Sequence, residues 1–403
     1  MTEAVTDTPA FPMARGGCPF DLPPALVDRM HSEPISRVKI WDGSTPWLLT
    51  RYGDVRAILA DPRASVNTEM PGFPNLSRGN AARAHIRAFI NMDDPEHAAQ
   101  RRLLTSDFMV KKMEAMRPRI QEIVNQLIDE MLAGPRPVDL VEAFALPLPS
   151  MVISELLGIP YADRDFFHKM SRLMVSRTAT GTEAIDAAEQ LTAYVAELAE
   201  SKIAAPGDDL LSRLALEQLH TGRMTRDQVG GMGRLLILAG HESTANMIAL
   251  STAALLEHPD QLAIIRESDD PKVIASSVEE LLRYLTILHI GIRRIALEDI
   301  EIAGQLIRRG EGIVLALDAA NRQDMAFPDP NTLDVTRDAR HHVAFGHGIH
   351  VCLGQPLARV ELQVVYRTLF RRIPTLTLAK PVEQLNFKND MFVYGLYELP
   401  VTW

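Results

Sequence analysis

The clearest rhythm in the chain falls at Ile120, Ile123, Val124, Leu127, Ile128, Met131 and Leu132. Its i, i+3, i+4, i+7 spacing predicts one amphipathic helix laid against a core. Across residues 224–258 the apolar positions lose their sidedness, so that segment reads as a helix buried on nearly all faces. Helical patterns also fill VDLVEAFALPLPSMVISELLG and residues 161–203, the latter broken near Gly181. Earlier, ISRVKIW and PWLLTRY flank Asp42-Gly43, a hairpin signal. YGDVRAILAD predicts a short helix started by Asp54, and NMDDPEHAAQRRLLTSDF one capped by Asp94 with Pro95 in first position. Late in the chain DIEIAGQLIRRGEGIVLAL alternates as strands do, with a glycine-bearing turn at residues 310–312. PTLTLAKP and LYELPVTW add further strands. The fold class is mainly α with a smaller β-rich lobe (α+β).

Residues 63–89 show neither period and carry Pro71, Gly72, Pro74 and Gly79. So long an irregular stretch in a compact domain is usually functional. Its Arg78, Arg83, His85 and Arg87 read either as a solvated face or as contacts for polar or acidic groups of a substrate. No repeat or linker divides the chain. Residues 1–20 are expected to be a loosely held, proline-containing arm, and residues 21–403 a single domain.

Composition narrows the function. A net charge of -10 without any Lys/Arg block argues against a nucleic-acid partner. Two cysteines, Cys18 and Cys352, make no disulfide framework and fit a reducing cytosol. The first residues lack a basic stretch followed by an apolar run, and no segment reaches the roughly 20 apolar residues of a membrane span. The expectation is a soluble, cytoplasmic monomer.

Candidate chemistry concentrates in FGHGIHVCLG, residues 345–354. Cys352 precedes a helix start at Gly354-Gln355-Pro356, where backbone N–H groups favour a thiolate. Gly346, Gly348 and Gly354 would let the backbone approach a flat ligand, and Phe345 would pack on it. His97 and Arg101, four apart, share a helical face and by themselves read as an ordinary surface pair. Within the buried segment, Gly240 costs about 1 kcal/mol relative to alanine. Glu242 and the adjacent hydroxyls of Ser243 and Thr244 cost more unless paired. Such disfavoured choices mark functional sites.

The run F-G-x-G-x-H-x-C-x-G resembles the heme-binding loop of the cytochrome P-450 monooxygenases, closest to soluble bacterial members. The likeness continues through H-x-x-x-R, LAGHESTA, E-x-x-R and ANRQDMAFPDP in the family's order. It implies a triangular-prism fold holding heme b, with Cys352 as axial ligand of the iron. Phe345, Gly346, Ala239 and Gly240 would lie against the cofactor, and His97, Arg101, Arg294 and His350 at its propionates. Glu242, with Ser243 or Thr244, would feed protons to the oxygen chemistry. Ser243 stands where the family usually has threonine, and serine lacks the β-branch that restricts χ1. Glu280, Arg283 and Arg337 would form a structural trio, and residues 286–292 and MFVYGL would line the pocket. Residues 161–203 would form a lid, in which Phe166, Phe167, Met170 and Met174 face either substrate or core.

The implied reaction inserts one atom of O2 into a C–H bond of a small organic substrate. No flavin or NADPH domain fits in these residues, so the expected electron donors are ferredoxin and ferredoxin reductase. Arg102, Lys111, Lys112 and His347 are docking candidates. Alternatives are a heme-thiolate enzyme that uses peroxide or isomerises its substrate, and a non-enzymatic heme sensor.

Overall fold

The stripe at Ile120–Met131 folds as the helix Arg117–Ala133, where Ile120, Ile123, Val124, Leu127, Ile128 and Met131 are all buried. Leu132 packs partly buried against the same core. The computed structural model describes residues 8–403. Helices dominate it, and the strands form small sheets of five, three and two members.

The unsided apolar run becomes the helix Arg226–Glu257, 32 residues long. It starts at a capping box: Thr225 Oγ1 accepts the Gln228 N–H at 3.2 Å, and Gln228 Oε1 accepts the Thr225 N–H at 2.8 Å. Helices Gly181–Ala204 and Pro147–Leu157 pack along it. Glycine permits that approach, because a Cβ on Gly233 would lie 2.4 Å from a Val195 methyl. The expected break before Gly181 is the end of helix Arg164–Val175 and the Thr180 cap of the next helix. Phe167, Met170 and Met174 are buried in the main core, and Phe166 packs on Tyr194 at 5.3 Å between ring centroids.

In the largest sheet the order is Ile35–Arg37, Trp47–Leu49, Gly312–Leu315, Ile292–Ala296, Ala64–Ser65. The first two form the expected antiparallel hairpin, and Trp47–Leu49 then runs parallel to Gly312–Leu315. Arg293 pairs with Val314 and Arg294 with Ile313, so the two arginines leave the sheet on opposite faces. Gly310, with φ 84°, makes the turn before Gly312. Of the tail, Thr377–Leu378 and Pro400–Thr402 are strands.

Four local expectations need correction. Helix Tyr52–Ala60 starts before Asp54, whose buried Oδ2 has no partner and whose carboxyl burial pushes up. Helix Glu96–Thr105 starts after Pro95, yet Asp94 Oδ1 still accepts a first-turn N–H, that of Ala98, at 3.0 Å. The irregular stretch contains the helix Arg78–Ala82, whose Ser77 cap accepts from the Asn80 N–H at 3.1 Å. A five-residue helix leaves no periodic trace to read. Within the supposed arm, Ala10 bridges to Lys39, Phe11 and Phe20 are buried, and Arg322 donates to the Phe20 carbonyl at 3.0 Å. Apolar burial holds that part down; residues 1–7 lie outside the described residues. No described helix is long and apolar enough to cross a membrane.

Candidate active site

The cysteine loop is closed by the Cys352 N–H donating to the Phe345 carbonyl at 2.9 Å. Helix Gln355–Arg372 follows, with Gly354 as its cap and Pro356 in its first turn, as its sequence requires. Two observations bear on the sulfur. The residue is exposed, and burial among its neighbours pushes the thiol above its usual range. The Gly354 and Gln355 N–H groups and the charges of Arg101 and Arg359 oppose that push, as a thiolate needs. The glycines divide their work. Gly348, at φ 74°, is pressed on the sheet lobe, where a Cβ would meet the Leu59 carbonyl at 2.7 Å. Gly346 and Gly354 have only van der Waals neighbours, at 3.7 Å and 4.0 Å from such a Cβ.

A second patch of interior surface lies on the central helix. Ala239 is exposed there and Leu238, Gly240 and Ser243 partly so, while Arg234–Ile237 and Thr244–Leu255 are buried. Ser243 Oγ donates to the Ala239 carbonyl at 2.7 Å, which holds the hydroxyl on that patch. A Cβ on Gly240 would lie 2.8 Å from the Ile153 side chain, so glycine lets that helix sit close. Glu242 is buried and accepts from Asn246 Nδ2 at 3.3 Å. Lys388 Nζ stands 3.8 Å from Glu242 Oε2, and His241 Nε2 4.0 Å from Oε1. Burial pushes the Glu242 carboxyl up, but Lys388, His241 and His168 together outweigh it and hold the group below its usual range. Burial draws Lys388 down and His168 to about 4. Glu242 is therefore ionised against Lys388.

The basic candidates converge around the cysteine loop. The rings of His97 and His350 lie 4.0 Å apart, and Arg101 donates to the Val351 carbonyl at 2.7 Å. Burial, with help from His97 and Arg294, draws His350 down to about 3. Arg294 is buried; its desolvation, partly offset by Asp93, draws it to about 10. His97 Nδ1 lies 3.1 Å from Asp94, but its Nε2 is buried without a partner.

Behind the loop, Arg359 stacks over Phe345 at 4.7 Å and donates to Glu279 at 2.6 and 2.9 Å. His342 Nε2 is 3.2 Å from Glu279 Oε2. Burial pushes the Glu279 carboxyl up, but His342 and Arg359 more than reverse this and hold it at about 2. A depressed carboxyl stabilises the fold above its unfolded pKa and loses that contribution as pH falls through the folded value. We expect Glu279→Gln to cost about 3 kcal/mol near neutral pH and progressively less from about pH 4.5 towards pH 2, measured by denaturant unfolding. A cost independent of pH would contradict this assignment. A cavity of about 240 Å³ on the same side is lined by Arg56, Arg340, His347 and Arg359 among others. His347 thus joins a basic face, whereas Lys112 is paired to Asp107 at 3.0 Å and Arg102 and Lys111 are exposed on their own helices.

The cytochrome P450 family profile matches residues 152–393. Cytochrome P450 GfsF of Streptomyces halstedii is 52% identical over 401 residues, covering 98% of this chain and 97% of that protein. The chain belongs to the cytochrome P450 family. The crystal structure of GfsF superposes on this P450 with a TM-score of 0.92, covering 98% of this chain and all of that one. A mycinamicin VIII C21 methyl hydroxylase from Micromonospora griseorubida is 39% identical, with a TM-score of 0.92 over 98% of this chain and 100% of that one. Pentalenic acid synthase of Streptomyces avermitilis is 47% identical over the full length of both. This P450 is a monooxygenase, and its family's cofactor is heme. The side chains present fit that group: Cys352 and Ala239 are exposed, and His97 Nε2 is a buried polar atom with no partner.

The expected site residues thus fall into two assemblies: Cys352, Phe345, Gly346, His350, His97, Arg101 and Arg294 in one, Ala239, Gly240, Glu242, Ser243 and Thr244 along the central helix. What sequence reasoning missed is the ring of partners around Glu242. Asn246 was findable as the i+4 neighbour of an expected buried acid. Lys388 was not, since only tertiary folding brings the tail to that helix.

Proposed function

We propose that this P450 inserts one atom of O2 into a C–H bond of a small organic substrate in bacterial secondary metabolism, drawing electrons from NAD(P)H through ferredoxin reductase and ferredoxin. The reading is carried by Cys352, exposed at the end of its glycine-rich loop and backed by the N–H groups of a helix start. Relatives support the substrate class: one is a pentalenic acid synthase, another the 20-oxo-5-O-mycaminosyltylactone 23-monooxygenase of Streptomyces fradiae, 39% identical over 98% of this chain and 92% of that protein.

When bound, heme supplies the oxygen activation and the oxygen-atom transfer. Cys352 would ligate its iron through sulfur, and His97, Arg101, Arg294 and His350 would hold its propionates, which would give the orphaned His97 Nε2 an acceptor. Phe345, Gly346, Ala239 and Gly240 would pack against it. Glu242 is an ionised carboxylate with Lys388 3.8 Å away, the buried acid–base group of the route. It would pass a proton on through the hydroxyl of Ser243, backed by Thr244, at the patch beside Ala239.

The test is product formed per NADPH consumed, with ferredoxin and reductase supplied. Ser243→Ala should cut that ratio several-fold, while Thr244→Ala, which changes a buried side chain, should change it little. Uncoupling by Thr244→Ala alone would reverse the assignment. Activity with peroxide and none with the electron partners would instead favour a peroxide-using enzyme.

A further inference from the structure

Three arginines, Arg234 buried and Arg83 and Arg293 half-buried, have no carboxylate partner among the described residues. Arg83 follows the helix Arg78–Ala82, Arg234 lies in the first half of the central helix, and Arg293 is in the strand Ile292–Ala296. Each guanidinium makes one side-chain hydrogen bond, and each to a neutral acceptor. Arg83 donates to the Met174 carbonyl at 2.7 Å, Arg234 to the Thr192 hydroxyl at 2.6 Å, and Arg293 to the Asn80 amide oxygen at 2.9 Å. Arg83 Nε is buried without any partner. Arg293 is tied through Asn80 to the short helix that Arg83 follows, and the charge of Arg83 adds to the fall that burial causes at Arg234 and Arg293, each drawn down to about 10.

Two other buried arginines are fully partnered. Arg283 has Glu280, and Arg322 donates to the carbonyls of Tyr284 and Phe20 and to Asn331. Packing alone selects against three like charges gathered without a counter-ion. Arg293 has aromatic neighbours, lying over Phe392 and Phe73 at 5.6 and 5.8 Å, and it is half-buried. Of the three, Arg234 lines a cavity of about 800 Å³, together with Met92, Thr192, Arg87 and Arg226. Of the carboxylates around that cavity, Glu96 is taken by Arg87, and Glu189 and Asp227 are exposed.

We propose that Arg83, Arg234 and Arg293 form an anion subsite that seats a carboxylate of the substrate, so that this P450 acts on organic acids with an apolar body. Guanidinium forks match a planar carboxylate with paired N–H donors. Arg234 precedes Ala239 by five residues, about 7.5 Å along the helix axis. The oxidised carbon is therefore several bonds from the carboxylate rather than next to it. The inference rests on the heme-site reading above, and its test separates the two.

The probes are dodecanoic acid and lithocholic acid, each against its methyl ester, titrated into the heme-loaded enzyme and followed by the spin-state shift. For at least one pair the acid should half-saturate at a concentration about tenfold or more below its ester. Arg83→Gln and Arg293→Gln should erase that preference, and the surface control Arg119→Gln should keep it. The carbon-monoxide band should be normal in all of them; its loss would fault the heme site rather than the subsite. Equal affinity of acid and ester, or a preference surviving both variants, would overturn the proposal. Should no probe bind, substrate-free thermal melts decide. Relief of unpaired charge predicts that Arg83→Gln and Arg293→Gln hold or raise Tm, and a fall in both would make the cluster structural and sink the idea.

Discussion

Glu280→Gln is expected to leave little folded enzyme. Glu280 and Arg283 are both 0% exposed, joined at 2.7 and 2.8 Å. Arg337 reaches the same carboxylate at 3.2 Å, and the Asp334 N–H donates to it at 3.0 Å. Arg283 also donates to the carbonyls of Asn321 and Pro330 at 2.8 and 2.9 Å. The trio therefore ties the helix Pro271–Leu285 to the loops that lead to the cysteine. Removing one partner of such a pair leaves the other charged and buried, which costs about 3–5 kcal/mol. Against a total stability of about 5–15 kcal/mol, that is a large share. Soluble yield and denaturant unfolding would measure it. A variant that folds in normal yield and unfolds within about 1 kcal/mol of the parent would show that the trio is not what holds this region.

The second large effect falls on turnover. Glu242→Gln keeps the shape of the carboxylate and its bond to Asn246 but can no longer take and give a proton. A positioned acid–base group contributes about 10²–10⁴-fold, so kcat should fall by about a hundredfold or more. Substrate binding, read as the spin-state shift, should be unchanged. Lys388→Met tests the same pair from the other side. Without the cation, burial is free to push Glu242 up. The acid limb of the kcat–pH profile should then move to higher pH. A profile that keeps its position would remove Lys388 from the proton route.

Much of this was legible in the chain because its signals are local. The central helix showed in its unsided apolar run and the cysteine loop in residue types that few other settings would combine. The strand Ile292–Ala296 sets Arg294 beside His350 of that loop. Boundaries were less legible: Asp54 looked like a helix cap, but packing of Val55, Ile58 and Leu59 starts that helix earlier. Gly348 looked like a residue freed for a ligand, but the sheet lobe presses on it. Non-local pairings were not legible at all. Nothing near Glu242 in sequence announces Lys388, and Arg83, Arg234 and Arg293 become a cluster only when a loop, a helix and a strand meet.

The central claim is that Cys352 ligates the heme iron as a thiolate. The most direct measurement is the carbon-monoxide difference spectrum of the reduced enzyme. The account predicts the strongly red-shifted Soret band of thiolate-ligated heme in the parent and its absence from Cys352→Ala. A red-shifted band that persists in Cys352→Ala would contradict it.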